Sequence, residues 1–147
     1  MSYHHKSHVN LDSTLSPEEY IGIIDEHDNP TGEVVTRAEM RKYNLWHRST
    51  AIFVINELQE FCLNKRSKDK DYCPSFLDTS FGGIVAAHEI NDVDLSAKRE
   101  AEEEMGLNDL SKLRLPGSGK SLVPNFVFKH QFDDGMTNAW VYTSYIP

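Results

Sequence analysis

The chain has 147 residues, of which 23 are acidic and 15 basic, so its formal net charge is −8. This length suits one domain that buries a core without disulfide or metal staples. The acidic balance argues against binding to a nucleic acid polymer and against adhesion to an anionic membrane. The two cysteines form neither a C-x-x-C pair nor a disulfide framework, and we expect a cytoplasmic protein.

The first sixteen residues are polar and lack the apolar segment of a signal peptide, and no later apolar run approaches membrane-spanning length. We predict a flexible N-terminal arm over residues 1–16 and a single domain over residues 17–147. The arm contains three histidines that could hold a stray transition metal, but a solvated arm is the preferred interpretation. They are His4, His5 and His8.

Regular patterning begins after Pro17. "EYIGIID" and "EVVT" are typical of strands, and the turn-forming residues between them predict a hairpin. Thr36 and Glu39 have the spacing of a capping box, which predicts a short helix ending near Asn44. "TAIFVINE" predicts a core strand buried on both faces, with "EFCLNKRS" as its neighbour.

The second half of the chain predicts one helix and two strands. Asp92 suits an N-cap and Gly106 a left-handed C-terminal cap, which places the helix from Val93 to Met105. A loop follows, and then "NFVFKHQF" and "TNAWVYTSYI" read as strands. "PGSGKS" in the loop is similar to the end of a P-loop, but Arg114 replaces the first glycine and no helix follows, which favours an ordinary loop.

The predicted helix carries four glutamates in five positions. At about 100° per residue, Glu100, Glu103 and Glu104 share one side and Glu102 lies opposite. Like-charge pairs at these spacings cost about 0.2–0.5 kcal/mol each, so we expect the three carboxylates to bind a cation. Mg²⁺ prefers such oxygen ligands. The alternative is a solvated charged face with surface ion pairs. An apolar stripe beside the glutamates predicts close packing on a sheet: Ala97, Ala101 and Met105.

Residues 83–107 resemble the Nudix box, G-x5-E-x7-R-E-U-x-E-E-x-G-U, where U is a bulky apolar residue. The matching residues are Gly83, Glu89, Arg99, Glu100, Glu103, Glu104, Gly106 and Leu107. Nine residues rather than seven separate Glu89 from Arg99, and Ala101 stands where a larger residue is usual. The extra pair falls before Asp92, so the register of the carboxylates on the helix is kept.

The resemblance implies a Nudix-type α/β/α sandwich with a mixed β-sheet. It also implies a Mg²⁺-dependent pyrophosphohydrolase of a nucleoside diphosphate derivative, with Mn²⁺ as a substitute. By the same resemblance, Glu100, Glu103 and Glu104 are catalytic and bind the metal, and the backbone carbonyl near Gly83 is a further ligand. A diphosphate carries dense negative charge that a bound metal can neutralise.

Further roles follow from the resemblance. Arg99 would pair with Glu89 to brace the loop against the helix, and Glu103 or Glu104 would be the general base. The other acids after the box are Asp109, Asp133 and Asp134, and the last two suit a turn better. Arg66, in a basic cluster before the glycine loop, is the candidate phosphate contact, with a solvated loop charge as the alternative.

The region from Tyr20 to Tyr72 is also similar to the Nudix branch related to isopentenyl-diphosphate isomerase. That enzyme uses a cysteine just before the box and a histidine shortly after it, but these positions hold Gly82 and Ile84. Cys73 is nine residues too early to substitute. We therefore favour a hydrolase, and keep an isomerase-like enzyme and a non-catalytic diphosphate-binding or partner-binding domain as alternatives.

The end of the chain raises one more expectation. "WVYTSYIP" stops in a predicted strand, where members of the family usually continue into more sheet and a closing helix. We expect either a shortened form of a longer protein or a symmetric homodimer that covers the exposed sheet.

Overall fold

The computed structural model describes residues 16, 19–114 and 116–147. The predicted N-terminal arm, with His4, His5 and His8, lies outside these residues except for Ser16. In chain order the described elements are β1 (Tyr20–Ile24), β2 (Pro30–Thr36), α1 (Arg37–Tyr43), β3 (His47–Val54), β4 (Asn64–Lys65), β5 (Leu77–Asp78), β6 (Ser80–Phe81), α2 (Val93–Met105), β7 (Asn125–Asp133) and β8 (Asn138–Ile146). Two short 3-10 helices, Ala87–Glu89 and Leu110–Lys112, flank α2.

Six of the strands form one mixed sheet in the order β2-β1-β3-β8-β7, with β6 also paired to β3. β3 and β8 run parallel over their whole length, from His47 opposite Ala139 to Val54 opposite Ile146. The other pairings in this sheet are antiparallel. β4 and β5 form a separate two-stranded ribbon. The mixed sheet predicted from the sequence is confirmed.

Both helices begin and end where their caps predict. Thr36 and Glu39 form the reciprocal hydrogen bonds of a capping box at the start of α1, and Asn44 ends it in the left-handed conformation with a φ of 48°. The Asp92 side chain caps the start of α2, and Gly106 ends it with a φ of 67°. These boundaries depend on contacts within a few residues, which explains why the sequence predicts them.

The two helices cover opposite faces of the sheet. One cluster packs against α2: Ile52, Phe81, Ala97, Ala101, Leu110 and Ile146. The other cluster packs against α1 through Met40, and its further members are Ile21, Ile23, Val35 and Ile84. Phe81 pairs with Ile52, while Ile84 bridges Ser49. Ser49 and Ile52 are three positions apart in β3, and alternate residues of a strand face opposite sides. The two clusters therefore lie on different faces of the sheet. The predicted α/β/α layering is therefore present.

Two strand predictions were wrong. β3 begins at His47, three residues earlier than predicted, and it is not buried on both faces, since the half-buried residues Ser49, Ala51 and Phe53 line an open cleft. "EFCLNKRS" neighbours only the end of the predicted strand, through a single antiparallel bridge between Ile55 and Phe61. After the Cys62 N–H donates to the Val54 carbonyl, the chain leaves the sheet and contributes only β4. The neighbours of β3 are β1, β6 and β8, and β8 lies about ninety residues later in sequence.

The edge strand β7 is exposed at all nine positions. Its exposed apolar side chains include Phe126, Val127, Phe128 and Phe132. An open edge of this kind can pair with another strand, and the homodimer expected from the sequence stays a prediction. Among the described residues, no helix has the length and apolar character needed to cross a membrane.

Candidate active site

The loop before α2 is anchored by a buried ion pair. The Glu89 side chain is almost fully buried, and the Arg99 guanidinium donates to both of its oxygens, at 2.8 Å from Nε and 2.9 Å from Nη2. Burial opposes ionisation of Glu89, but the Arg99 hydrogen bonds hold its pKa below the usual value. The ion pair that the Nudix resemblance implied is thus present, and it ties the 3-10 helix to α2.

Glu100 lies against the glycine loop. Its side chain is nearly buried, and Arg99 Nη1 donates to it at 3.0 Å. A Cβ added at Gly83 would lie 2.6 Å from the carboxylate atoms, so this position has no room for a side chain while Glu100 keeps its place. Burial raises the pKa of Glu100, and the charges of Glu103 and Glu104 add to the rise against the opposing effect of Arg99.

Glu104 and Glu103 occupy different environments on the same side of α2. Glu104 accepts hydrogen bonds from the Gly82 backbone N–H at 3.0 Å and from Lys70 Nζ at 3.2 Å. The Glu103 side chain is 56% exposed and contacts Arg99 Nη1 at 3.3 Å. Both carboxylates are therefore held by protein donors and remain within reach of water.

Glu102 lies on the opposite side of the helix, as its spacing predicts. It pairs with Lys98 at 2.6 Å and accepts a hydrogen bond from the Leu110 backbone N–H at 2.7 Å. The surface pairs considered for the sequence, Lys98 with Glu102 and Arg99 with Glu103, both form. They do not account for the inward placement of Glu100 and Glu104.

The donors on this side of α2 suit a hard divalent cation. Glu100, Glu103 and Glu104 offer only oxygens, and Gly83 leaves space for the Glu100 carboxylate beside its backbone. Within the described part of the chain, however, no three His, Cys, Asp or Glu side chains stand ready to hold a metal ion. Arg99 Nη1 bridges Glu100 and Glu103, and Lys70 binds Glu104, so a metal would take the place of these cations at the carboxylates.

A cleft of about 360 Å³ opens beside Glu100 and extends over the sheet face opposite α2. Its floor includes Ala51 and Phe53 of β3, Thr143 of β8 and Phe128 of β7. Its rim carries basic side chains from α1 and from the loop 66–76. The cleft therefore combines an apolar floor, one carboxylate of the box and a positively charged rim.

Arg66, the predicted phosphate contact, follows β4 rather than a strand of the main sheet. Its guanidinium donates to the Tyr72 carbonyl at 2.8 Å and to the Cys73 carbonyl at 3.2 Å, and lies 3.7 Å from Asp78. These bonds brace the loop 66–76 from inside. Arg66 also lines the cleft, and its role as a phosphate contact stays a prediction.

Two arginines that the sequence reasoning missed stand on the cleft rim. Arg37 donates to Asp71 from Nε at 2.9 Å and from Nη2 at 3.0 Å, and Arg41 Nε approaches the same carboxylate at 3.3 Å. Their hydrogen bonds and charges lower the pKa of Asp71 to about 2, although partial burial opposes this. The i,i+4 spacing of Arg37 and Arg41 on a capped helix was the available signal, because such residues share one face.

His47 is a third residue of the cleft that the sequence reasoning missed. It is almost fully buried, with Nδ1 2.9 Å from the Leu45 carbonyl. Burial lowers its pKa to about 4, assisted by the charges of Arg41 and Arg37 and opposed by the Leu45 carbonyl. His47 is therefore neutral at pH 7.

The acids after the box serve local structure. Asp109 accepts hydrogen bonds from the Ser111 backbone N–H at 3.1 Å and pairs with Lys112 at 3.1 Å. Asp133 and Asp134 accept backbone N–H groups of the β7–β8 turn, which confirms them as turn residues. This leaves Glu103 and Glu104 as the candidates for a general base.

Comparison with known proteins agrees with this arrangement of sheet, glycine loop and glutamate helix. The chain is 38% identical over 93 residues to YfcD of Salmonella typhi and 39% identical over 94 residues to PA4841 of Pseudomonas aeruginosa, each an uncharacterized Nudix hydrolase by name. These matches cover 63% and 64% of the chain and 49% and 54% of the relatives. The chain thus spans about half the length of these relatives. No protein-family model matches it.

Two solved structures share the fold. A protein named DR0079 from Deinococcus radiodurans matches with a TM-score of 0.60 at 20% identity, over 88% of this chain and 73% of that one. A MutT protein from Methanosarcina mazei matches with a TM-score of 0.51 at 20% identity, over 69% and 63%. The sandwich and the box placed at its cleft define a Nudix-type domain. The relatives named above, which the chain matches over about half of their length, carry the same family name.

Proposed function

We propose that the chain is a Mg²⁺-dependent pyrophosphohydrolase that cleaves the diphosphate linkage of a nucleoside diphosphate derivative. The observation that carries the proposal is the placement of Glu100. This glutamate of the box is buried against Gly83, where no side chain fits, and it lines the cleft. A carboxylate held at such a position without a full set of counter-charges favours a cation that arrives with the substrate.

Each residue of the box has a distinct task in this reaction. Glu100, Glu103 and Glu104, with the Gly83 carbonyl, would hold the metal, and Arg99 with Glu89 fixes the loop that presents Gly83. When bound, Mg²⁺ supplies charge neutralisation and lowers the pKa of water. Glu103 or Glu104 accepts the proton of the water whose oxygen bonds to phosphorus. The bridging P–O bond breaks, and two phosphate monoesters result.

The position of Gly82 disfavours the isomerase alternative. The isomerase chemistry would need a cysteine there, but Gly82 has a φ of 136°, and a Cβ on it would lie 2.3 Å from the Thr50 carbonyl oxygen. That oxygen belongs to the backbone of β3, which cannot move without breaking the sheet. The glycine loop therefore has no place for a nucleophilic or acidic side chain at this position.

The reaction class is tested by incubating the protein with a panel of nucleoside diphosphate derivatives, with and without Mg²⁺, and measuring release of nucleoside monophosphate. We expect release from at least one substrate, and only with the metal. Binding without release, with or without metal, would indicate the non-catalytic alternative. Rearrangement of isopentenyl diphosphate without phosphate release would indicate the isomerase.

The helix face is tested by single substitutions that remove charge but keep shape. We expect Glu103→Gln or Glu104→Gln to lower kcat at least tenfold, about 1.4 kcal/mol in the barrier, with little effect on folding. Glu102→Gln is the matched control, because this residue points away and glutamine can still accept the Leu110 N–H. Equal losses in all three variants would contradict the assignment of the face.

Metal binding is tested without turnover. Mg²⁺ should raise the melting temperature, because a ligand of the folded state alone contributes about 2.7 kcal/mol at a hundredfold excess over Kd. Replacing Glu100, Glu103 and Glu104 together by glutamine should abolish the rise. A rise retained by that triple variant would place the metal elsewhere.

A further inference from the structure

The loop 66–76 is tied to α2, to α1 and to the β7–β8 turn by two sets of ion pairs and one hydrogen bond. Lys70 pairs with Glu104 of the box at 3.2 Å. The next residue, Asp71, pairs with Arg37 and Arg41 of α1. Tyr72 then donates to Asp134 in the β7–β8 turn. Two adjacent residues of one loop thus place a cation on the glutamate helix and an anion on the two arginines.

The arginines are arranged as an oxyanion site. Arg37 presents its Nε and Nη2 as a fork to both oxygens of one carboxylate, which is the geometry that guanidinium groups use for carboxylates and phosphates. Arg41 adds a third donor to the same carboxylate and is itself fixed by Thr137 and by the ring of Tyr72, 5.4 Å from its guanidinium carbon. The two guanidinium groups therefore converge on one carboxylate, while Glu19 and Glu100 act on Arg37 only through their charges.

The anion that fills this site is replaceable. The Asp71 side chain is 37% exposed, as are about a quarter to a third of the two arginine side chains. Ion pairs with such access to water contribute little to stability. The loop also contains Cys73 and Ser75 at positive φ values of 45° and 65°, a conformation that non-glycine residues rarely adopt. Arg66 binds the backbone carbonyls of Tyr72 and Cys73, so the exchange needs only the Asp71 side chain to turn away while the loop stays in place.

We propose that Arg37 and Arg41 form a second anion subsite, which takes an oxyanion group of the substrate in addition to its diphosphate. Asp71 occupies this subsite as an internal stand-in until substrate binds, while Lys70 does the same for the metal at Glu104. Arg37 and Glu100 line the same cleft, so one ligand can reach both ends. The inference deepens the proposed function and rests on it for the identity of the ligand as a substrate.

The subsite is tested with inorganic phosphate in the absence of metal, so that hydrolysis plays no part. Asp71→Asn removes the internal anion and should tighten phosphate binding at least fivefold, measured by calorimetry or by the rise in melting temperature. Adding Arg37→Gln or Arg41→Gln to Asp71→Asn should return the affinity to that of the unchanged protein. Two independent double variants keep the test valid if one of them fails to fold.

Asp109→Asn is the matched control. Asp109 also pairs with two basic side chains, Lys98 and Lys112, and its side chain is 28% exposed, but neither lysine lines the cleft, whereas Arg37 and Arg41 do. It should gain no phosphate affinity. An equal gain in both aspartate variants, or a gain in Asp71→Asn that survives loss of the arginines, would overturn the proposal.

Two further arms identify the ligand. Acetate is titrated in the same way. If Asp71→Asn binds both anions more tightly, the subsite is a general oxyanion site, and if it binds only phosphate more tightly, the subsite is specific for a phosphate monoester. If the affinity rises for neither anion, the subsite is overturned. Hydrolysis of ADP-ribose is then compared with that of its 2′-phosphate. A lower KM for the phosphorylated member, lost in Arg37→Gln, supports use in catalysis. The proposed function is decided by the full substrate panel, and the phosphate titration decides the subsite even if neither of these two compounds is cleaved.

Discussion

Asp28 and Asp71 each bind two basic side chains, and of these two aspartates only Asp28 is buried. Asp28, in the β1–β2 turn, is held by Arg48 of β3, by Lys129 of β7 and by the Tyr142 hydroxyl, and 2% of its side chain is exposed. Asp71, on the cleft rim, has comparable partners but 37% of its side chain is exposed. The residue types are alike, and the access of water differs.

The difference indicates which cluster is structural. Around Asp28 the partners come from three separate elements, and Arg48 also donates to the backbone carbonyls of Asp28 and Ile90. Removing the Asp28 charge leaves the Arg48 guanidinium, of whose side chain 12% is exposed, without its counter-charge. Around Asp71, water can replace whichever partner leaves. The first cluster therefore fixes the hairpin on the sheet, and the second can exchange its anion.

The largest effect is expected for Asp28→Asn. Asn tolerates the left-handed conformation that Asp28 adopts at a φ of 68°, so the substitution removes the charge without backbone strain. We expect a loss of about 3 kcal/mol in the free energy of unfolding, the low end for a broken buried pair, because Lys129 still reaches water. Urea unfolding measures it. A loss below about 1 kcal/mol would show that burial does not distinguish the two clusters.

The next effect concerns the pH dependence of stability that His47 causes. The charges of Arg41 and Arg37 help to lower the pKa of this residue. Its pKa of about 4 lies below the unfolded value, so the unfolded chain binds more protons between these values and stability falls as the pH falls from 6.5 toward 4. From pH 6.5 to pH 5 this loss should be about 1.5 kcal/mol. Asp71 and Asp28 stay ionised in this window, since their pKa values are lowered.

The matched variant for this prediction is His47→Gln, whose amide can still donate to the Leu45 carbonyl but does not titrate. The difference between the stability–pH curves of the two proteins isolates His47 from Glu100, whose raised pKa acts in the opposite direction. Parallel curves would show that His47 is protonated as readily in the folded protein as in the unfolded chain.

The parts of the structure that the sequence predicts are those set by neighbours along the chain. The boundaries of α1 and α2 follow from caps, the side of each box glutamate follows from helical spacing, and the β7–β8 turn follows from Asp133 and Asp134. The failures involve long separations. β3 finds its parallel partner β8 about ninety residues away, and no local pattern distinguishes that partner from "EFCLNKRS".

The candidate site divides in the same way. The box lies on one continuous segment, so its motif carries the ion pair of Glu89 with Arg99. The arginine cluster combines α1 with a loop 34 residues later and a turn 96 residues later. Such a convergence depends on how α1 and β8 meet across the sheet. The sequence places Arg66 and Asp71 in one polar loop but does not indicate which of them faces a ligand.

The smallest effect is expected for the stability of Asp71→Asn. It is also the most direct test of the difference between the ion pairs of Asp28 and those of Asp71. We expect a loss of at most about 1 kcal/mol in the free energy of unfolding, since the pairs are partly exposed. The loss should shrink in 1 M salt, where the screening length falls to about 3 Å, whereas the loss caused by Asp28→Asn should persist because buried pairs are screened much less. A large, salt-independent loss for Asp71→Asn would mean that this carboxylate is as structural as Asp28. Substrate could then displace Asp71 from the two arginines only by partly unfolding the protein. The proposal that Asp71 is a replaceable anion would be wrong.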